Sequence, residues 1–267
     1  MKTAIIVVGV VRELSNASSS WKILGDYYLF ADEYERVPQS QIIKNKIILT
    51  DILAISKVKF QHISILKSEA RSDWHGFTPT FNYFKKLLLA YKHIKNLGYE
   101  KFIIIRPDLF LEEQANDIVN NINVLPNNLA IAGVINLGEK RTKFKPSIDD
   151  DLLMCMDADT FEIIADFYNY LEINIKFLLE NEFDVHTALA KYVIEQDLNI
   201  VNLCCRTVVL RDNSNYLFTS GTATFEKLEE AFLEWWKLNV DAGPLIHEKI
   251  KISKTGGGIL KLRNISK

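Results

Sequence analysis

The chain has 267 residues, of which 48% are hydrophobic and 11% aromatic, and a formal charge of −2. A chain of this size buries roughly three quarters of its unfolded surface, so one large core is affordable and disorder throughout is excluded. The near-neutral charge excludes a globally basic nucleic-acid binder. Three cysteines, Cys155, Cys204 and Cys205, are too few for a disulfide framework and lack the spacing of a zinc or redox site.

Residues 4–11, Ala-Ile-Ile-Val-Val-Gly-Val-Val, read as a buried first β-strand. A short signal peptide is the competing reading. The run is β-branched, however, and ends at Arg12-Glu13 without a small-residue cleavage site. A Ser/Asn-rich turn follows, then a helix start near Ser18 to Leu24, and a second strand over 27–31. Residues 38–57 read as helical or mixed, and Phe60 to Leu66 as a weaker strand. The clearest helix covers 80–97: Phe81, Phe84, Leu88, Tyr91 and Ile94 recur every three or four positions, leaving Lys85, Lys86, Lys92 and Lys95 for solvent. Lys101-Phe102-Ile103-Ile104-Ile105 is an apolar strand of the central type, ending at Arg106-Pro107-Asp108. A strand over 128–135 leads to a basic loop with Lys140, Arg141, Lys143 and Lys145. Asp149-Asp150-Asp151 and Leu152-Leu153-Met154 precede a helix over 158–171.

A helix from 184 to 196, capped by Asp184, follows. Strands near 199–204 and 207–210 come next, then an amphipathic helix over 224–238, whose Trp235 and Trp236 should place at least one ring in the core. Short continuous apolar runs alternating with helical segments predict an α/β fold with a mixed, mainly parallel sheet flanked by helices. Residues 1–240 are expected to form one domain with a helical C-terminal extension. Residues 241–267 form a basic tail, with six Lys/Arg against one Glu from Glu248 onward. Its Gly256-Gly257-Gly258 lacks a P-loop pattern. No apolar stretch reaches the ~18 residues of a membrane span, which predicts a cytoplasmic protein. The tail is either a solvated end or a peripheral contact with an anionic membrane face.

In open parallel sheets ligands bind beyond the carboxyl ends of the strands. Two polar exits stand out, Arg12 after the first strand and Arg106-Pro107-Asp108 after the strand of 102–105. Pro107 cannot continue a central ladder, so Asp108 is expected at the rim. A loop salt bridge between Arg106 and Asp108 is the alternative.

Three elements in order resemble bacterial and viral glycosyltransferases of the GT-A nucleotide-sugar fold, including those of lipopolysaccharide synthesis. They are the strand and arginine Ile6-Val7-Val8-Gly9-Val10-Val11-Arg12, the run Tyr99 to Leu109 with Arg106-Pro107-Asp108, and the turn Ile148-Asp149-Asp150-Asp151-Leu152-Leu153-Met154 before a helix. The likeness spans about residues 4 to 210. It implies a UDP- or GDP-sugar donor and a glycan or lipid-linked acceptor, with Asp108 near the ribose, diphosphate or metal. GT-A enzymes commonly carry Asp-x-Asp at this strand end. Here Arg106 replaces the first carboxylate, so Mn2+ or Mg2+ held by Asp108 and metal-independent transfer both stay open. A catalytically degenerate nucleotide- or glycan-binding protein is the second reading.

A departing nucleoside diphosphate needs a cation on its phosphate oxygens, either a metal or guanidinium and ammonium groups. Arg12, Arg106, Lys140, Arg141 and Arg211 are the candidates, although the basic loop also reads as a solvated hairpin tip. In the resembling enzymes an Asp of the acidic turn faces the acceptor. Asp150 or Asp151 is therefore the candidate general base, with a solvated acidic loop as the alternative. His186, in the first turn of its helix, could reach diphosphate or acceptor or be structural. Trp74 and His75 could line the acceptor cleft or pack in the core. Asp157 and Asp159 form another Asp-x-Asp string, read as a helix cap. A dinucleotide enzyme is disfavoured because Gly9 stands alone, and a serine hydrolase because no Gly-x-Ser-x-Gly occurs.

Overall fold

The computed structural model describes residues 1–11, 13–35, 45–46, 49–67, 78–138, 145–149, 152–210, 216–219 and 225–239. The first half of the chain runs β1 (Thr3–Gly9), α1 (Leu14–Ser19), β2 (Asp26–Asp32), β3 (Tyr34–Glu35), β4 (Asn45–Lys46), α2 (Leu49–Ile55), β5 (Phe60–Leu66), α3 (Thr78–Ile94) and β6 (Lys101–Ile105). Then come β7 (Leu109–Leu111), α4 (Glu113–Asn121), β8 (Asn128–Ile131), β9 (Val134–Asn136), β10 (Ser147–Asp149) and β11 (Leu153–Met156). The remainder is α5 (Ala158–Glu180), α6 (Val185–Glu195), β12 (Asn199–Asn202), β13 (Arg206–Val209), β14 (Tyr216–Thr219) and α7 (Phe225–Asn239).

Seven strands form the central sheet in the order β12-β8-β11-β6-β1-β2-β5. Every neighbouring pair is parallel except those of β11, which runs antiparallel between β6 and β8. The mixed, mainly parallel α/β class is thus the one expected. Alternation along the strands explains the unbroken apolar runs. Ala4, Ile6 and Val8 of β1 and Phe102 and Ile104 of β6 face a core built with α3, α5, α6 and α7. Ile5, Val7, Ile103 and Ile105 face a second core with Leu14 and Ala17 of α1 and Ala115 and Val119 of α4. Both faces are covered, so no polar alternation is possible.

Several boundaries move for local reasons. The first helix lies at Leu14–Ser19, not at 18–24, because Ser19 and Ser20 hydroxyls bond back to Asn16 and Ala17 carbonyls at 2.7 Å and close it. The expected 128–135 strand is two strands, since β8 belongs to the central sheet and β9 pairs with β10. The helix after Asp157 continues to Glu180, with Leu171 and Leu178 buried. Short β7, β10 and β11 carry too few residues to show a period. Trp235 and Trp236 are both buried.

Lys86 is a correction. Its helix packs on β1 and β2 on one side and on α5 on the other, so the solvent face expected for Lys86 is occupied. The side chain is buried and pairs with Asp32 at 2.7 Å, at the carboxyl end of β2. No helix among the described residues is long and apolar enough to cross a membrane.

Candidate active site

Strand order reverses direction between β1 and β6: β2 and β5, which follow β1 in the chain, lie on its side of the sheet, and β8, β11 and β12, which follow β6, lie on the other. The crevice beyond the carboxyl ends of two such strands is where open α/β sheets bind ligands. Gly9 ends β1 at φ 135°, a backbone state that side chains rarely adopt, and a Cβ there would stand 3.3 Å from Cδ of Pro107. The two strand exits therefore touch.

The turn after β6 is held from three sides. The Arg106 amide donates to the Leu152 carbonyl at 3.1 Å, Leu109 closes the turn onto Arg106, and Leu210 donates to the Asp108 carbonyl at 2.8 Å. Indole Nε1 of Trp21 donates to the Leu109 carbonyl at 2.7 Å. Beyond the turn, β7 leaves the central sheet and pairs with β13.

Asp108 does not project at the rim as the sequence suggests. Its carboxylate lies beneath Arg106, accepting from Nε on Oδ1 and from Nη2 on Oδ2, each at 2.9 Å. The side chains are 2% and 15% exposed respectively, so Arg106 is the more accessible partner. A bidentate fork of this kind is the strong form of an ion pair.

The residue that follows the acidic turn, Leu152, reaches the same end. β10 finishes at Asp149, and Leu152, bonded to the Arg106 amide, directly follows Asp151. Two contacts fix β10 from the helical side. Nδ1 of His186 meets the Ile148 carbonyl at 3.2 Å. Nζ of Lys145 donates to the carbonyls of Asn181, at 2.8 Å, and Glu182, and stands over the rings of Phe183 and Trp235. Lys145 is thereby a cap on the carboxyl end of α5, where a cation suits the helix dipole. That differs from its expected place in a basic loop, read there as either a solvated hairpin tip or a phosphate contact. Sequence reading missed this role because the partner carbonyls lie 36 and 37 residues away.

Asp157 caps α5 through the Thr160 amide at 2.9 Å and Asp184 caps α6 through the Thr187 amide at 2.6 Å, both as expected. Arg12, Trp74, His75, Lys140, Arg141, Asp150, Asp151, Arg211 and the tail 241–267 lie outside the described residues. Two of their chain neighbours bond the turn after β6: Leu210, which precedes Arg211, bonds Asp108, and Leu152, which follows Asp151, bonds Arg106. Among the described residues no group of three or more His, Cys, Asp or Glu side chains could hold a metal ion.

No protein-family model matches the chain and no curated protein matches it. Among solved structures, one from Desulfovibrio desulfuricans G20, named as a nucleotide-diphospho-sugar transferase, is similar with TM-score 0.40 and 9% identity. The similarity covers 76% of this chain and 80% of that one.

Proposed function

We propose that the protein is a glycosyltransferase that moves a sugar from a nucleoside-diphosphate donor to a hydroxyl of a glycan or lipid-linked acceptor. The supporting observation is the meeting of the β1 exit, the Arg106-Pro107-Asp108 turn and the ends of the acidic turn at the point where strand order reverses. A parallel sheet offers its ligand crevice there, and the chain brings to it the guanidinium of Arg106.

In this reading Arg106 meets the diphosphate, aided by Arg12, Arg211, Lys140 and Arg141, and stabilises the charge that grows as the sugar departs. Asp150 or Asp151 removes the proton of the acceptor hydroxyl in an inverting transfer. His186 holds the strand that leads into the acidic turn. The basic tail 241–267 would bring a cytoplasmic enzyme to an anionic membrane carrying a lipid-linked acceptor.

A panel of UDP-, GDP- and CMP-sugars tests the proposal by release of free nucleotide. Release from one donor class, lost in Asp108→Ala, is the expected result. A melting temperature indifferent to every nucleoside diphosphate, with and without manganese, would refute donor binding altogether. Binding without release would instead favour the catalytically degenerate alternative, which the missing first carboxylate at Arg106 also motivates.

A further inference from the structure

Within the proposed function, we infer that Asp108 is a positioning residue for Arg106 and not the ligand of a divalent ion. The guanidinium is then the cation that faces the leaving diphosphate at the end of β6. The resemblance to GT-A enzymes leaves open a Mn2+ or Mg2+ ion at this carboxylate, and the geometry around Asp108 does not suit one.

Both carboxylate oxygens already accept short charge-assisted bonds from one guanidinium. A divalent ion at Asp108 would have to break that fork and then stand within a few ångströms of the displaced positive charge. Mg2+ also demands about six oxygens in near-octahedral array. With the Asp108 side chain 2% exposed beneath Arg106, there is little room for retained waters on its outer side.

The same facts suit a guanidinium as the working cation. The fork engages Nε and Nη2 of the guanidinium. It fixes the plane of the guanidinium, and a planar donor array is what matches phosphate oxygens. An anion approaching the crevice meets the more exposed Arg106 before the buried Asp108. Position supports this too, because the Arg106 amide is anchored to Leu152 and Pro107 rests against Gly9, so the guanidinium stands on a braced backbone at the switch point.

The experiment is isothermal titration of the full chain with MnCl2 alone, then with UDP and GDP in EDTA and in MnCl2. Variants are Asp108→Asn, Arg106→Lys and the double change Arg106→Gln with Asp108→Asn, which removes both charges together and so avoids an unpaired buried ion. Circular dichroism confirms that each folds. We expect no Mn2+ binding dependent on Asp108, and nucleotide affinity equal within about twofold in EDTA and Mn2+. The double variant should lose at least about tenfold in nucleotide affinity, and Arg106→Lys should keep part of it, as a point charge without a fork does.

Mn2+ binding that Asp108→Asn abolishes overturns the inference, as does an Mn2+ enhancement of nucleotide affinity that the same change removes. Failure of every nucleotide to bind in either condition overturns the proposed function, and the titration with Mn2+ alone still decides whether Asp108 is a metal ligand.

Discussion

Breaking the Arg106–Asp108 pair from either side should cost unequal amounts. Arg106→Met leaves a carboxylate whose side chain is 2% exposed, without the guanidinium that forks it. Removing one partner of a buried pair typically costs about 3–5 kcal/mol, because the survivor keeps its charge in the interior without that partner. Asp108→Ala leaves the guanidinium, 15% exposed and on a long side chain that can lean toward water. Its loss should be closer to 1–3 kcal/mol, roughly the value for a partly satisfied polar group. The double variant Arg106→Met with Asp108→Ala removes both charges, so its cost should fall short of the sum by about 1–3 kcal/mol. Urea unfolding followed by tryptophan fluorescence is suitable, since Trp21, Trp235 and Trp236 are buried, and unchanged m-values would show that the denatured state is comparable. Equal costs for the two single changes, or strict additivity in the double variant, would refute the burial asymmetry.

Four further outcomes follow from the geometry. Gly9→Ala meets both a φ of 135° and Pro107 at 3.3 Å, so it should lower stability by about 1–3 kcal/mol and weaken nucleotide binding with it. Lys145→Met should cost about 1–3 kcal/mol in urea unfolding by freeing the α5 carbonyls. In the proposed enzyme it should also lower turnover more than donor affinity, because the segment it anchors leads to the acidic turn. Asp157→Ala should cost about 1 kcal/mol by loss of the cap and leave nucleotide release unchanged, whereas loss of release would restore that Asp-x-Asp string as a metal site. His62 is held below its ordinary 6.5 by burial and by the neighbouring His93, whose ring stacks on it at 4.0 Å. The unfolded chain then takes up the proton first, so this stability is full above 6.5 and declines as pH falls through 6.5 toward the lower folded value. His62→Phe should flatten that decline in melting temperature, and an unchanged slope would count against it.

Local signals were enough for much of the scaffold. The runs of β1 and β6 are continuous and β-branched because both faces of the sheet are covered. Asp157 and Asp184 announce their helices because a cap needs only an oxygen three residues from an open amide. Proline after β6 and the lone glycine at the end of β1 marked the two exits that meet. Those features depend on a few consecutive residues, and the order of residues along the chain determines them.

Tertiary structure decided what no short window contains. The antiparallel insertion of β11 between β6 and β8, the burial of Lys86 against Asp32 across 54 residues, and the reach of Lys145 to the end of α5 all depend on which elements pack together. The Arg106–Asp108 fork spans only two positions, yet its depth is set by Leu152 and Leu210 arriving from distant parts of the chain. Periodicity and capping are local energies and leave a local trace in sequence. The desolvation that turns a surface charge into a buried, oriented one comes from surrounding elements, and so appears only when they assemble.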